Sequence, residues 1–193
     1  MLPKFDFHVH TIYSDGSAPP ERIVEIAEKR GLKAVAITDH GPGLSVGAEP
    51  SKFLILAQDV RVIREETEIQ VLAGVESNIT PDGNLDMGEE ILRELDLVTA
   101  GVHYLRSGNC EEQAMEYMRV VRKALQSHKF DVLVHPLYYN KYLLPWIPPE
   151  DIEEFIQELA RAGVAVELNS KYHTPDKTFI QDCLLYTSPS PRD

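Results

Sequence analysis

A chain of 193 residues with 43% hydrophobic content is long enough for one well-buried core and too short for two ordinary enzyme domains. Its 19 Lys and Arg against 31 Asp and Glu give a formal net charge of -12, which argues against a broad basic surface for nucleic acid. The two cysteines, Cys110 and Cys183, lack metal-knuckle spacing and point to a reduced compartment. MLPKFDFHVH carries no signal-peptide pattern and no apolar run reaches the roughly 18 residues of a membrane span, so a cytoplasmic protein without membrane association is expected.

In chain order, short apolar or β-branched runs alternate with longer amphipathic ones, the βα signature. Strands are predicted at Lys4–Val9, Lys33–Thr38, Gln70–Val75, Leu97–Gly101, Asp131–Val134 and Val164–Leu168. Helices are predicted at Pro20–Arg30, about Lys52–Glu68, Gly88–Glu94, Glu111–Ser127 and Pro149–Ala162, where residues such as Ile23, Ile26, Ala27 and Val120, Val121, Ala124 recur with helical spacing. Ser17 can cap the first helix, Pro19 and Pro20 suit its first turn, and Gly31 and Gly163 can close helices. With no GxGxxG or GxxxxGK[ST] loop, the common nucleotide-binding open sheets lose support. A closed barrel instead lets several strand ends converge on one face. Residues 184–193, LLYTSPSPRD, contain two Ser-Pro steps that continue neither strand nor helix comfortably, and they resemble the read-through of a sequencing adapter. Residues 1–183 are therefore expected to be a C-terminally truncated domain and 184–193 a non-native tail.

The strongest chemical signal is FDFHVHTIYSDG. Side chains two apart on a strand face the same way, so His8 and His10 can point at one ion, with Asp6 in the same periodicity as a supporting group. Asp15, in a Ser-Asp-Gly turn that Gly16 permits, can bring an oxygen donor back over the strand end. The next unit ends VAITDHGPG: His40 is a natural imidazole ligand, while Asp39 could ligate, orient an imidazole or cap a turn, and supporting work is favoured. Glu76 follows QVLAGV and suits a bridge between two ions, because one carboxylate cancels part of their repulsion. His103 and His135 emerge where buried strands meet solvent, and Glu167 and Asn169 alternate beyond the last strand. Five of the seven histidines thus sit at predicted strand ends. Of the other two, His128 at a helix end reads as a helix-dipole contact and His173 in NSKYHTPDK as solvent-facing.

These residues resemble the PHP family, the polymerase and histidinol phosphatase superfamily, most characteristically over FHVHTIYSDGSAPPERIVEIAEKRGLKAVAITDH. The resemblance implies an α/β fold, a distorted seven-stranded βα barrel of TIM-like type, incomplete here at the C-terminus. It also implies a site for two or three divalent metal ions. By motif, His8 and His10 resemble ligands of a first ion, Glu76 the bridge to a second, His103 and His135 the second ion's remaining ligands, and Asp15 and His40 ligands of a third. Many members have histidine where this chain has Asp15, which exchanges an imidazole for an anionic oxygen and widens the choice of metal. The Asp-x-His element that family members carry on a later strand is absent after Glu167.

The implied reaction is hydrolysis of a phosphate ester by metal-activated water, with zinc suited to the imidazoles and manganese or iron to the mixed shell. Asp39, His40 and Glu76 are the candidate catalytic residues. A small phosphorylated metabolite is the expected substrate, with nucleic acid the less favoured partner. Two alternatives stand beside it. A PHP-type nuclease would need a stacking platform or basic track, for which Tyr104, Arg106, Tyr138, Tyr139, Lys141, Tyr142 and Trp146 are available, although these read first as a packed loop. A noncatalytic, metal-stabilised domain of a larger assembly is the other.

Overall fold

Unbroken apolar runs such as AVAI become strands, and the amphipathic segments between them become helices, in the computed structural model, which describes residues 4–106, 108–127 and 129–187. The elements are β1 (Phe5–Val9), α1 (Pro20–Lys29), β2 (Ala34–Ile37), α2 (Pro50–Ile63), β3 (Gln70–Asn78), α3 (Glu89–Leu92) and β4 (Leu97–Gly101). There follow α4 (Cys110–Leu125), β5 (Val132–Leu133), β6 (Tyr138–Tyr139), β7 (Lys141–Tyr142), a 3-10 turn at Leu144–Trp146, α5 (Pro149–Ala162), β8 (Ala165–Val166) and α6 (Lys177–Thr187). The fold class is α/β. The chain forms two compact units, one running to Asn78 and including Leu85–Ala100, the other comprising Ile79–Asn84 and the chain from Gly101 onward.

In the first unit the strands are ordered β1-β2-β3-β4, with β1 parallel to β2 and β2 parallel to β3. Chain order equals spatial order. A doubly wound sheet would reverse direction beside an interior first strand, so the sequential order agrees with the barrel-type expectation. All four residues of β2 are buried, as expected of a strand covered on both faces. Phe53, Leu56 and Val60 of α2, together with Val35, Ile37, Val71, Ala73 and Val75, form this core. Burying such side chains stabilises by about 1.5–3 kcal/mol each before entropy is subtracted.

In the second unit β5 and β8 pair in parallel, Val132 opposite Ala165 and Leu133 opposite Val166. The buried face of α4 presents Ala114, Tyr117, Met118, Val120, Val121 and Ala124, and Phe155, Ile156 and Leu159 do the same for α5. Arg122 on α4 reaches the carboxylates of Glu154 and Glu158 on α5.

Several predicted boundaries move for identifiable reasons. β3 extends to Asn78 because its ladder continues past the apolar run, through a parallel bridge between His40 and Glu76. Ser17 does not cap α1: Pro19 is the N-cap and Pro20 opens the helix. Gly31 and Gly163 do terminate α1 and α5, with φ of 73° and 70°. The hairpin β6–β7 and α6 were not expected, and α6 carries on through Leu184 into the stretch read as a tail. Eight strands less the two of the hairpin leave six among the described residues, against the seven implied by resemblance. His128 and residues 188–193, which include the two Ser-Pro steps, lie outside the described residues. No helix among the described residues is long and apolar enough to cross a membrane.

Candidate metal centre

Alternation along β1, carried one residue past its end, sends His8 and His10 to one side, and both point at the end of β3. His8 Nε2 lies 3.1 Å from Glu76 Oε2, His10 Nε2 3.1 Å from the same oxygen, and His40 Nδ1 2.8 Å from it. Three imidazoles therefore surround one carboxylate oxygen of a residue that is 1% exposed. The backbone explains how His40 and Glu76 come side by side. Glu76 N donates to Asp39 O at 2.9 Å and Gly41 N to Glu76 O at 2.9 Å, so the ladder between β2 and β3 runs one step further and ends at His40.

The loop after β1 supplies the next donor. His10 Nδ1 is 2.7 Å from Asp15 Oδ1, and His40 Nε2 is 3.9 Å from Asp15 Oδ2. The path is tight: a Cβ on Gly16 would meet the His10 carbonyl oxygen at 2.2 Å, so only glycine lets the turn fold back this closely. Asp39 fastens the loop from below. Its carboxylate, fully buried, accepts from Thr11 N at 2.8 Å, Thr11 Oγ1 at 2.7 Å, Ser14 N at 3.1 Å and Ser14 Oγ at 2.6 Å. Of the three roles open to Asp39 from sequence, these bonds favour the cap, and its expected catalytic part draws nothing from them.

The electrostatics fit a cation. Burial works to lower the His10 pKa, but the Glu76 carboxylate and then Asp15 outweigh it and leave the imidazole raised. For Asp15 burial works upward, and the His10 contact, with His40 behind it, holds the carboxyl below its ordinary value. His10 Nε2 is buried and makes no hydrogen bond of acceptable geometry. A buried imidazole nitrogen in that state, facing a carboxylate oxygen, has the chemistry that metal ligation would use. Two overlapping donor groups have ligand atoms within 4.8 Å of one another: His8, His10 and Glu76, and His10, Asp15 and His40. Nitrogen and oxygen donors in this mixture suit zinc, manganese or iron.

The second unit holds the other two expected ligands together. The His103 and His135 rings lie 5.0 Å apart, edge to face. His135 has φ of 32°, a left-handed conformation that costs a non-glycine residue on the order of 1–3 kcal/mol and persists only when its surroundings enforce it. Here the His135 N–H donates to Glu167, and the Leu137 N–H donates to the buried Tyr117 hydroxyl at 2.9 Å. Tyr172 stands edge-on to His135 at 5.8 Å and stacks on Tyr138 at 4.3 Å. Burial pushes the Tyr117 phenol far up, so it stays neutral and accepts.

Asp6 supports β1 by accepting from His8 N at 3.2 Å. Glu167 and Asn169 bond each other at 3.1 Å. His173 is exposed, as expected. Tyr104 and Trp146 are exposed rather than packed, whereas the Tyr142 hydroxyl accepts from Asp176 N at 3.1 Å. Sequence reading missed Asp86, Tyr117 and Tyr172. Asp86 lies in the loop stretch NLDMGEE and Tyr117 mid-helix, so neither stands at the strand-end position that marked the others.

A family model described as the PHP domain matches residues 6–171. DNA polymerase/3'-5' exonuclease PolX of Bacillus subtilis (strain 168) is 32% identical over 171 residues, covering 86% of this chain and 29% of that protein. A probable phosphatase of Acetivibrio thermocellus is 32% identical over 183 residues, covering 92% of this chain and 70% of that one. A probable phosphatase of Syntrophotalea carbinolica is 30% identical, with 88% and 67% covered. The chain thus spans under a third of PolX and about two thirds of these phosphatases. Among solved structures, dihydrodipicolinate synthase from Thermotoga maritima matches at TM-score 0.51 and 15% identity, covering 95% of this chain and 59% of that one, a likeness of fold alone.

Proposed function

The chain belongs to the PHP domain family, a phosphoesterase family by its named relatives, and from that premise we propose that it hydrolyses phosphate monoesters of small molecules with the help of divalent metal ions. The observation that carries the proposal is the convergence of His8, His10 and His40 on one buried oxygen of Glu76, with Asp15 on the far side of His10. In this reading His8, His10, Asp15, His40 and Glu76 are metal ligands within the first unit, and His103 and His135 are candidate ligands within the second. Bound ions would supply Lewis acidity toward phosphate oxygens and activate water for in-line attack near neutral pH. Zinc is the preferred occupant, with manganese or iron as alternatives, and two or three ions are expected.

The chain's own residues divide the remaining work. Glu76 contributes a negative charge that would offset part of the repulsion between cations held beside the three imidazoles. Asp15, 2.7 Å from His10 Nδ1, would hold the proton on that nitrogen and so present the opposite nitrogen as a lone-pair donor. Asp39 keeps the Thr11–Ser14 stretch in the conformation that delivers Asp15.

A second reading has its own support. PolX is named a 3'-5' exonuclease, and Tyr138 stacked on Tyr172, with Lys171 Nζ 5.0 Å from the Tyr172 ring centre, offers a small aromatic and cationic surface beside His135. Against it stands the net charge of -12. Purified protein loaded with zinc or manganese, assayed on p-nitrophenyl phosphate, bis-p-nitrophenyl phosphate and a short single-stranded oligonucleotide, tests both. Faster monoester turnover supports the proposal, and preference for the diester and oligonucleotide replaces it with the nuclease reading. Metal uptake without turnover on any of the three refutes both.

A further inference from the structure

Asp86 ties together the two strand ends from which His40 and Glu76 emerge, and nothing in the reading above uses it. Its Oδ1 accepts from Ser77 Oγ at 2.6 Å and Asn78 N at 2.8 Å, the two residues that follow Glu76. Its Oδ2 accepts from Gly43 N at 2.8 Å, in the loop that follows His40. One carboxylate thus takes donors from both sides of the His40–Glu76 contact. The fit is close: a Cβ on Gly41 would meet Asp86 Oδ1 at 2.6 Å, and one on Gly43 would meet Oδ2 at 2.6 Å. Both glycines of the HGPG stretch are therefore accounted for by the approach of this one side chain. The loop then returns to its start, with Ala48 N donating to His40 O at 2.9 Å. The loop that follows His40 is thus tied by a backbone bond at Ala48 and by Asp86 at Gly43.

We propose that Asp86 is a positioning residue for metal binding, holding the His40 imidazole against the Glu76 carboxylate by clamping the loop after one to the strand end after the other. The inference rests on the metal-site reading above. It follows from geometry that a free loop end would not provide. Ser77 is fully buried and Asn78 nearly so, so water cannot take over as acceptor there. The Gly43 tie is separable, because it uses the other oxygen.

That separation designs the test. In D86N the side-chain oxygen can keep Ser77 and Asn78 while the amide nitrogen cannot accept from Gly43 N, so only the His40 loop is released. D86A releases both ends, and S77A removes one hydroxyl donor while leaving Asp86 in place. Zinc affinity of the full chain is measured by competition with a chromophoric chelator. Visible spectra of the cobalt(II)-loaded protein report ligand geometry, and circular dichroism reports folding. Removing groups that orient metal ligands typically weakens binding 10–100-fold. D86N is expected to lose about 10-fold in zinc affinity with a changed cobalt spectrum and unchanged circular dichroism, D86A to lose more, and S77A to fall between wild type and D86N. Zinc affinity and cobalt spectra equal to wild type in folded D86N and S77A overturn the proposal, whether or not D86A folds. Wild-type protein that takes up neither zinc nor cobalt overturns the metal-site reading and this inference with it. Loss of affinity in D86N alongside a wild type inactive on every ester leaves Asp86 in its role and removes only the hydrolytic reading.

Discussion

Replacing Asp39 with alanine removes the acceptor for four donors at once, and the burial of each donor decides what that costs. Thr11 is fully buried, so its N–H would be left without a partner and without access to water, which costs about 1–3 kcal/mol. The Thr11 hydroxyl can rotate toward other acceptors, and half-buried Ser14 can turn to solvent, so these add about 1 kcal/mol together. Asp39→Ala is therefore expected to lower stability by about 2–4 kcal/mol in urea denaturation of the metal-free protein. Asp39→Asn keeps the shape and the oxygen that takes Thr11 N, Ser14 N and Ser14 Oγ, and the Thr11 hydroxyl on the other side can reverse to accept from the new amide, so about 1–2 kcal/mol is expected. Because the loop delivers Asp15, both variants also weaken zinc binding, alanine more than asparagine. The opposite pattern would refute the loop-cap reasoning: an unchanged urea midpoint and zinc affinity in Asp39→Asn, with turnover of p-nitrophenyl phosphate abolished. That result would support the catalytic part expected of Asp39 from sequence.

Tyr117→Phe leaves the buried Leu137 N–H without its acceptor, so a loss of about 1–3 kcal/mol is expected in denaturation, with little change in secondary structure by circular dichroism. Gly16→Ala drives a Cβ into the His10 carbonyl and must displace the turn, so zinc affinity measured by chelator competition should fall even where the protein remains folded. The pH dependence of metal-free stability has two limbs. His10, raised in the folded state, contributes stability that is present below its unfolded pKa and is lost as pH rises through the folded value. Asp15, lowered in the folded state, contributes stability that is present above its unfolded pKa and is lost as pH falls through the folded value. Urea midpoints of chelator-treated wild type should therefore exceed those of His10→Ala most clearly between the two, and a difference that grows with rising pH would contradict the assignment. On the proposed reading zinc affinity, measured by chelator competition, is expected to run the other way and rise with pH, because an ion bound at His10 would displace its proton.

Much of the candidate site was legible because a residue suited to ligation at a strand end is marked twice, by its type and by the apolar run that stops just before it. His8, His10, His40, Glu76, His103 and His135 all carry that double mark, and His8, His10, His40 and Glu76 meet at one oxygen in the first unit. The βα alternation was legible for a related reason, since AVAI and LVTAG can only be buried and the helices between them show period 3.6. What stayed hidden is work done by contact rather than by pattern. Asp39 and Asp86 look alike in sequence, an acid beside a glycine-containing loop, yet each earns its place through partners 25 to 28 and 8 to 43 residues away. No local periodicity encodes such distances. The shortened strands β5 and β8 failed for the converse reason: their apolar runs promised longer pairing, but His135 turns to a left-handed conformation and Glu167 bends back to its N–H, so the ladder stops after two residues. The stability given up in that shortened ladder and strained residue is concentrated on a predicted ligand, the pattern expected where a fold trades local preference for the orientation of one imidazole.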